Sequence, residues 1–145
     1  MHLTQNLRFQ ARENPNEPVG ECGPGGAVMR ALSAGLSARA WETSALECWR
    51  DGGWVVFCKR ENSELQIILS ATQDGEWSLQ IAPKKSSLFG RSGQRPSASP
   101  TDVHRLALDV HALLEKDVTF ALPRWCWDDF PDSKNSSPAP RAANS

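Results

Sequence analysis

The chain has 145 residues, and its 16 basic and 17 acidic side chains give a net charge of −1. This length suits one domain, and a charge so near zero creates no general attraction to nucleic acid or to an anionic membrane. No stretch approaches the roughly 20 apolar residues that a membrane-spanning helix needs, and residues 1–7 lack the apolar region of a secretory signal. The sequence therefore predicts a cytoplasmic protein for which membrane and nucleic acid are unfavoured partners.

The residues able to build a core are concentrated in the middle of the chain. All six tryptophans lie in the range 41–127, whereas residues 14–26 contain three prolines and four glycines, and residues 133–145 offer almost no large apolar side chain. Such compositions do not bury enough apolar area to offset the entropy lost on ordering. Met29 is a candidate for the real start of translation, because the segment before it has no structural pattern. We expect a mostly disordered segment over 1–33, a single α+β domain over 34–132 and a disordered tail over 133–145.

The first predicted helix covers residues 36–50. Its apolar side chains recur at the spacing of one helical face, and the glycine pair at 52–53 is typical of a helix end. The residues that share this face are Trp41, Ala45, Cys48 and Trp49.

A three-stranded antiparallel meander is predicted next. Large apolar residues mostly fall at every second position, which is the period of a strand with one dry face, and Asp74-Gly75 supplies the positive φ that a tight hairpin needs. The strands cover residues 54–59, 64–70 and 76–81. The outward side of this meander is expected either to be solvated or to contact another molecule, and it carries Gln66, Ile68, Ser70, Ser78 and Gln80.

A second helix is predicted to begin after Ser99, because Ser99 and Asp102 form a capping box around Pro100. An apolar stripe from residue 103 to 114 would lie on the sheet, and residues 118–122 predict a fourth strand that Pro123 ends. The expected fold is therefore α+β with the order α-β-β-β-α-β, an antiparallel sheet of about four strands with the helices packed on one face.

The four cysteines show no pairing typical of a metal site or a redox motif. Cys48 and Cys58 lie in apolar patterns that would bury them, and disulfides are rare in the cytosol. We therefore expect buried, inert thiols, with no bound metal and no cofactor.

Two histidines and two aspartates are the best candidates for catalysis. His104 and His111 lie two helical turns apart, so their rings are separated by roughly 10 Å along the axis and cannot share one metal ion. Asp128 and Asp129 are adjacent, and adjacent carboxylates usually diverge. A small enzyme that combines one of these histidines with one of these aspartates across the fold is therefore an alternative hypothesis.

A basic loop between the third strand and the second helix is one candidate interaction site. Residues 84–95 contain no acidic side chain, and Leu88 and Phe89 lie near the centre of the loop. Two large apolar residues on a cationic segment are typical of a docking motif, although they are equally compatible with packing into the domain. Weak nucleic-acid binding is the alternative for this loop, and it would show steep salt dependence. The basic residues are Lys84, Lys85, Arg91 and Arg95.

The other candidate interaction site is the run from Trp125 to Asp129. If the chain stays extended past Pro123, Trp125 and Trp127 project to one face. These indoles would then either seal the end of the core or form a hot-spot pair for a partner. In the second case Asp128 and Asp129 would supply a rim that prefers a basic partner.

These observations favour a binding protein over an enzyme. The titratable residues show no spacing that assembles a catalytic group. We therefore expect a bacterial, non-catalytic protein that binds another protein, in the manner of an adaptor, a secretion chaperone or a toxin-neutralising immunity protein. A homodimer is one form that this binding could take.

Overall fold

The computed structural model describes residues 4–10, 25–49, 52–72, 76–84, 98–116, 120–129, 131 and 135–143. These residues form seven strands and two helices. In chain order the elements are β1 (Gln5–Gln10), α1 (Gly26–Ser37), β2 (Glu42–Thr43), β3 (Glu47–Cys48), β4 (Trp54–Arg60), β5 (Ser63–Ala71), β6 (Trp77–Pro83), α2 (Pro100–Glu115) and β7 (Ala121–Trp127). Within the described part of the chain, neither helix has the length and apolar character needed to cross a membrane.

The strands form one antiparallel sheet in the order β2-β4-β5-β6-β1-β7, and β3 pairs with β4. The meander of β4, β5 and β6 lies where the alternation predicted it. Strand β1 inserts between β6 and β7, so that Leu7 is opposite Leu79 on one side and opposite Trp125 on the other. The two ends of the described chain are therefore joined in the sheet.

One side of the sheet and both helices enclose the hydrophobic core. Leu7 and Phe9 of β1 are completely buried there, as are Met29 of α1 and Leu106 of α2. Burial of each such side chain contributes roughly 1.5–3 kcal/mol. The predicted apolar stripe of α2 is confirmed, since its buried residues are Val103, Leu106, Ala107, Val110 and Leu114.

The start of α2 is also confirmed. Ser99 Oγ accepts a hydrogen bond from Asp102 N at 3.2 Å, and Asp102 Oδ2 accepts one from Ser99 N at 3.0 Å. Partial burial would raise the pKa of Asp102, but the hydrogen bonds that its carboxylate accepts from Ser99 and Ser63 outweigh this effect and lower it. The capping box therefore ties the start of α2 to the first residue of β5.

The predicted helix over residues 36–50 is wrong. Helix α1 ends at Ser37, and the chain turns through Ala40, which has a φ of 71°. Residues 42–43 and 47–48 instead pair with β4. Trp41 is buried, and its indole N–H donates to Asp109 Oδ2 of α2 at 2.8 Å. Tertiary pairing at the edge of β4 therefore overrides the helical spacing.

The prediction of about four strands is wrong as well, because the sheet has seven. Strand β1 and most of α1 lie within residues 1–33, the segment expected to be mostly disordered. Leu7 and Phe9 alternate with polar residues as in a strand, and both are fully buried. Their pattern is short, and its partner strands are distant in the sequence, so local periodicity alone does not predict this strand.

The last strand differs from its prediction. Strand β7 covers Ala121–Trp127, so Pro123 lies inside it, and residues 117–119 lie outside the described part. The register between β1 and β7 shifts beside Arg8, and Leu122 has a φ of 53°. Proline lacks an N–H and is tolerated at such an irregularity. Beyond β7, Ser137 forms a bridge with Trp125, so the expected tail also takes part in the fold.

Candidate functional site

His111, one of the predicted catalytic residues, lies between two hydrogen-bonding partners. Its Nδ1 accepts from the indole N–H of Trp125 at 3.0 Å, and its Nε2 lies 2.9 Å from Glu115 Oε1. Because an indole can only donate, Nδ1 carries no proton, and in the neutral ring the proton lies on Nε2 and points to Glu115. His111 therefore cross-links α2 to β7.

The other predicted catalytic residues occupy separate positions. His104 is partly buried, which lowers its pKa, and its Nδ1 has no hydrogen-bond partner among the described residues. Asp128 Oδ1 accepts from Thr4 N at 3.1 Å, and Asp129 O accepts from Asn6 Nδ2 at 2.9 Å. These bonds connect the end of β7 to β1. Among the described residues, no group of three His, Cys, Asp or Glu could hold a metal ion.

The two predicted hot-spot tryptophans do share one face, as the register of β1 and β7 shows. Trp125 belongs to the core cluster and is only 1% exposed, so it seals the end of the core. Trp127 packs against that cluster and is partly buried, and its indole N–H donates to Arg141 O at 2.8 Å. The geometry thus gives Trp125 a structural role and leaves one edge of Trp127 accessible.

The basic loop is described only at its first residue. Lys84 N donates to Glu64 O at 2.9 Å, and Lys84 Nζ lies 5.0 Å from the ring centre of Phe57. The remaining candidates lie outside the described residues, so docking or nucleic-acid binding through this loop stays a prediction. Those candidates are Lys85, Leu88, Phe89, Arg91 and Arg95.

The prediction of four buried, inert thiols is wrong for Cys48, which is exposed and disulfide-bonded. Cys22 lies outside the described residues. Cys58 and Cys126 are reduced thiols. Burial raises the pKa of Cys58 to about 12, so this thiol stays protonated and unreactive near neutral pH.

The side of the sheet opposite the two helices presents another candidate surface. We call it the open face and define it by the outward residues of β4, β5 and β6: Val55, Phe57, Gln66, Ile68, Ser70, Ser78, Gln80 and Ala82. Ile68 lies between Val55 and Gln80 in the register, and Ser70 is opposite Ser78. The sequence predicts Gln66, Ile68, Ser70, Ser78 and Gln80 of this face, but neither Ala82 nor the outward residues of β4.

Exposure varies across the open face. Val55 and Ala82 are buried, yet neither belongs to the core cluster on the helix side of the sheet. Gln66 is also buried, whereas Phe57 and Ile68 are partly exposed. The face therefore combines packed apolar atoms with accessible hydroxyl and amide groups.

Charged residues lie at the two ends of the open face. At one end, the Arg124 guanidinium contacts both carboxylate oxygens of Glu76, at 2.8 and 3.0 Å. At the other end, Lys59 is opposite Glu64, and Lys84 lies over Phe57. The defining residues between these ends include no ionisable side chain, so the face has an uncharged centre and charged ends.

No model of a known protein family matches this chain, and no curated protein matches it.

Proposed function

We propose that this chain is a non-catalytic protein-binding protein, of the adaptor, secretion-chaperone or immunity type, that contacts its partner through the open face. The observation that carries the proposal is the arrangement of that face, with an uncharged centre and charged ends. Protein interfaces commonly deplete charge at the centre and keep polar residues at the rim, because desolvation of unpaired charges is costly.

The side chains of the open face also suit this role energetically. Ile68 offers apolar area, while Ser70 and Ser78 offer donors and acceptors on short side chains held by sheet pairing. Short, positioned side chains lose less rotamer entropy on binding than long flexible ones do. A partner would therefore meet a surface that is already ordered.

The enzyme alternative has less support in the geometry. His111 bonds to Trp125 and Glu115, and Asp128 bonds to Thr4. The bond to Trp125 connects α2 to β7, and the bond to Thr4 connects the end of β7 to the start of β1, as expected of groups that stabilise the fold. The bond to Glu115 lies within α2.

A cytoplasmic location is part of the proposal, and the thiols provide its test. Cys58 and Cys126 are reduced, as expected in the cytosol, whereas the disulfide at Cys48 is unusual for that compartment. Alkylation of thiols in intact cells, followed by mass spectrometry, would distinguish the cytosol from an oxidising compartment. A Cys48 thiol that reacts before reduction supports the cytosol, and one that reacts only after reduction supports an oxidising compartment.

The binding proposal is tested with two matched substitutions. Ile68→Arg places a charge at the centre of the open face, and Leu108→Arg makes the same change at an exposed position of α2, where Leu108 is 45% exposed. The tagged variants are used to capture partners from a native lysate. We expect Leu108→Arg to retain the partner of the unmodified protein and Ile68→Arg to lose it.

Folding of both variants is checked by thermal unfolding. Ser78→Arg serves as a second change on the open face, because Ser78 is partly exposed and its substitution leaves the core side of β6 intact. Retention of the partner by folded Ile68→Arg and Ser78→Arg proteins would remove the open face from the proposal.

A further inference from the structure

A cleft of about 220 Å³ lies beside β7, between the end of that strand and residues 135–141. It lies at the β7 edge of the sheet, apart from the strands β4, β5 and β6 that carry the open face. An inference about this cleft therefore does not depend on the proposed function.

Backbone pairing and two side chains hold the walls of the cleft together. Trp125 N donates to Ser137 O at 2.8 Å, and Ser137 N donates to Trp125 O at 2.9 Å. Further along, Arg141 O accepts from Trp127 Nε1 at 2.8 Å and from Gln5 Nε2 at 3.2 Å. The cleft is thus a preformed feature with walls from β1, β7 and the C-terminal segment.

Gln5, one of the residues that line the cleft, carries a buried hydrogen-bond acceptor. Its side chain is completely buried, and Oε1 has no hydrogen-bond partner among the described residues. The bond from Nε2 to Arg141 O fixes the amide orientation, because only the NH₂ group can donate to a carbonyl. A buried acceptor without a partner is unfavourable, so a ligand with an N–H group would gain by satisfying it.

The other residues that line the cleft restrict the charge and the size of a ligand that fits it. Among the described residues that line the cleft, Arg141 is the one cation, and none is Asp or Glu. An anionic group is therefore favoured over a cationic one. Trp127 adds a partly buried aromatic surface. The volume lies below the roughly 300 Å³ at which sites for drug-sized ligands begin, so a single small unit fits.

We propose that this cleft binds an N-acylated amino-acid unit, in which an amide N–H donates to Gln5 Oε1 and the neighbouring carboxylate is attracted to Arg141. The same chemistry occurs in a free N-acylated amino acid and in the last residue of a polypeptide. Binding of terminal carboxylates by small polar concavities is a known mode of peptide recognition.

The test uses the full chain, labelled with ¹⁵N, and N-acetylglycine as the probe. We expect saturable shifts of the Trp127 indole N–H and the Gln5 side-chain amide resonances. N-acetylsarcosine lacks the amide hydrogen, and N-acetylglycinamide lacks the carboxylate. Each should bind at least about tenfold more weakly, which corresponds to loss of one good polar contact. Absence of shifts with N-acetylglycine, or equal binding of N-acetylsarcosine, would overturn the proposal.

Two charge-removing variants locate the binding site. Arg141 and Arg30 are both exposed, so Arg141→Ala and Arg30→Ala should both fold. Arg141→Ala should weaken binding of N-acetylglycine several-fold and leave the weaker binding of N-acetylglycinamide unchanged, whereas Arg30→Ala should change neither. Equal binding of N-acetylglycine to the Arg141→Ala variant and the unmodified protein would contradict the proposed geometry.

A further titration distinguishes a free N-acylated amino acid from the last residue of a polypeptide as the natural ligand. An N-acetylated alanine peptide that ends in glycine presents the same terminal unit at the end of a chain. Tighter binding of this peptide than of N-acetylglycine indicates a polypeptide terminus, and equal or weaker binding indicates a free small molecule.

Discussion

Leu7 and Trp125 lie directly opposite each other in the sheet, although they come from near the two ends of the chain. Both are buried in the core cluster, with exposures of 0% and 1%. Leu7 also lies opposite Leu79 of β6. Strand β1 therefore places the Leu7 side chain between Leu79 of β6 and Trp125 of β7.

Leu7→Ala should therefore lower the free energy of unfolding by about 2–5 kcal/mol, the usual cost of a cavity in a packed core. Leu122→Ala is the matched control, since Leu122 is 64% exposed and its truncation should change stability by under about 0.5 kcal/mol. Urea unfolding of both variants measures the difference. A small loss in Leu7→Ala would mean that β1 is not needed for the core.

Asp109 accepts hydrogen bonds from two side chains of the turn between α1 and β2. Its Oδ2 accepts from the Trp41 indole at 2.8 Å, and its Oδ1 pairs with Arg39 at 3.0 Å. Asp109→Ala should cost about 1–3 kcal/mol, because it leaves the buried indole N–H without a partner. Asp109→Asn retains an acceptor for the indole and should cost less. Equal losses in the two variants, measured by thermal unfolding, would show that the indole bond is not the important contact.

The partial burial of His104 predicts a pH dependence of stability. Burial lowers the folded-state pKa below the ordinary value of 6.5, so the unfolded chain binds a proton first as the pH falls. The stability that neutral His104 contributes is therefore fully present above about pH 6.5, and it is lost as the pH falls from 6.5 to the folded-state pKa. When the pH is lowered from about 7.5 to about 5.5, the His104→Gln variant should lose less stability than the unmodified protein does, as measured by urea unfolding. Identical losses in variant and unmodified protein would contradict this assignment.

The two reduced thiols should differ in reactivity. Cys58 is 1% exposed and its pKa is raised to about 12, whereas Cys126 is only partly buried. Iodoacetamide should therefore modify Cys126 in the native protein and Cys58 only after unfolding, because the thiolate is the reactive species. Mass spectrometry after timed quenching gives the order. Modification of Cys58 at the rate of Cys126 in the folded protein would show that β4 opens readily.

Local signals explain what the sequence predicted correctly. The capping box at Ser99 and the alternation of β5 and β6 require only neighbouring residues, and both were found. The helical spacing around Trp41 was misleading, because pairing with β4 and the bond to Asp109 depend on residues distant in the sequence. Strand β1 has a local pattern, but its burial depends on partners near residues 79 and 125.

In the candidate sites too, the sequence predicts features that depend on neighbouring residues and misses those that depend on distant ones. The shared face of Trp125 and Trp127 follows from the period of a strand, so the sequence predicted it. The covering of Trp125 by Ser137 uses backbone atoms alone, and residue types carry little information about such a contact. The acceptor on Gln5 likewise could not be recognised, because a glutamine near the start of a chain is ordinarily solvated.

The Gln5 side chain donates to Arg141 O at 3.2 Å, so residues near the two ends of the described chain lie beside each other. A short linker could therefore join these ends without crossing the sheet, and new ends could be opened at the exposed turn of Glu61 and Asn62, between β4 and β5. Such a circular permutant would keep every strand pairing, and β1 would follow the segment that comes after β7. The contact between β1 and β7, now among the most distant in sequence, would then join strands separated only by that segment and the linker.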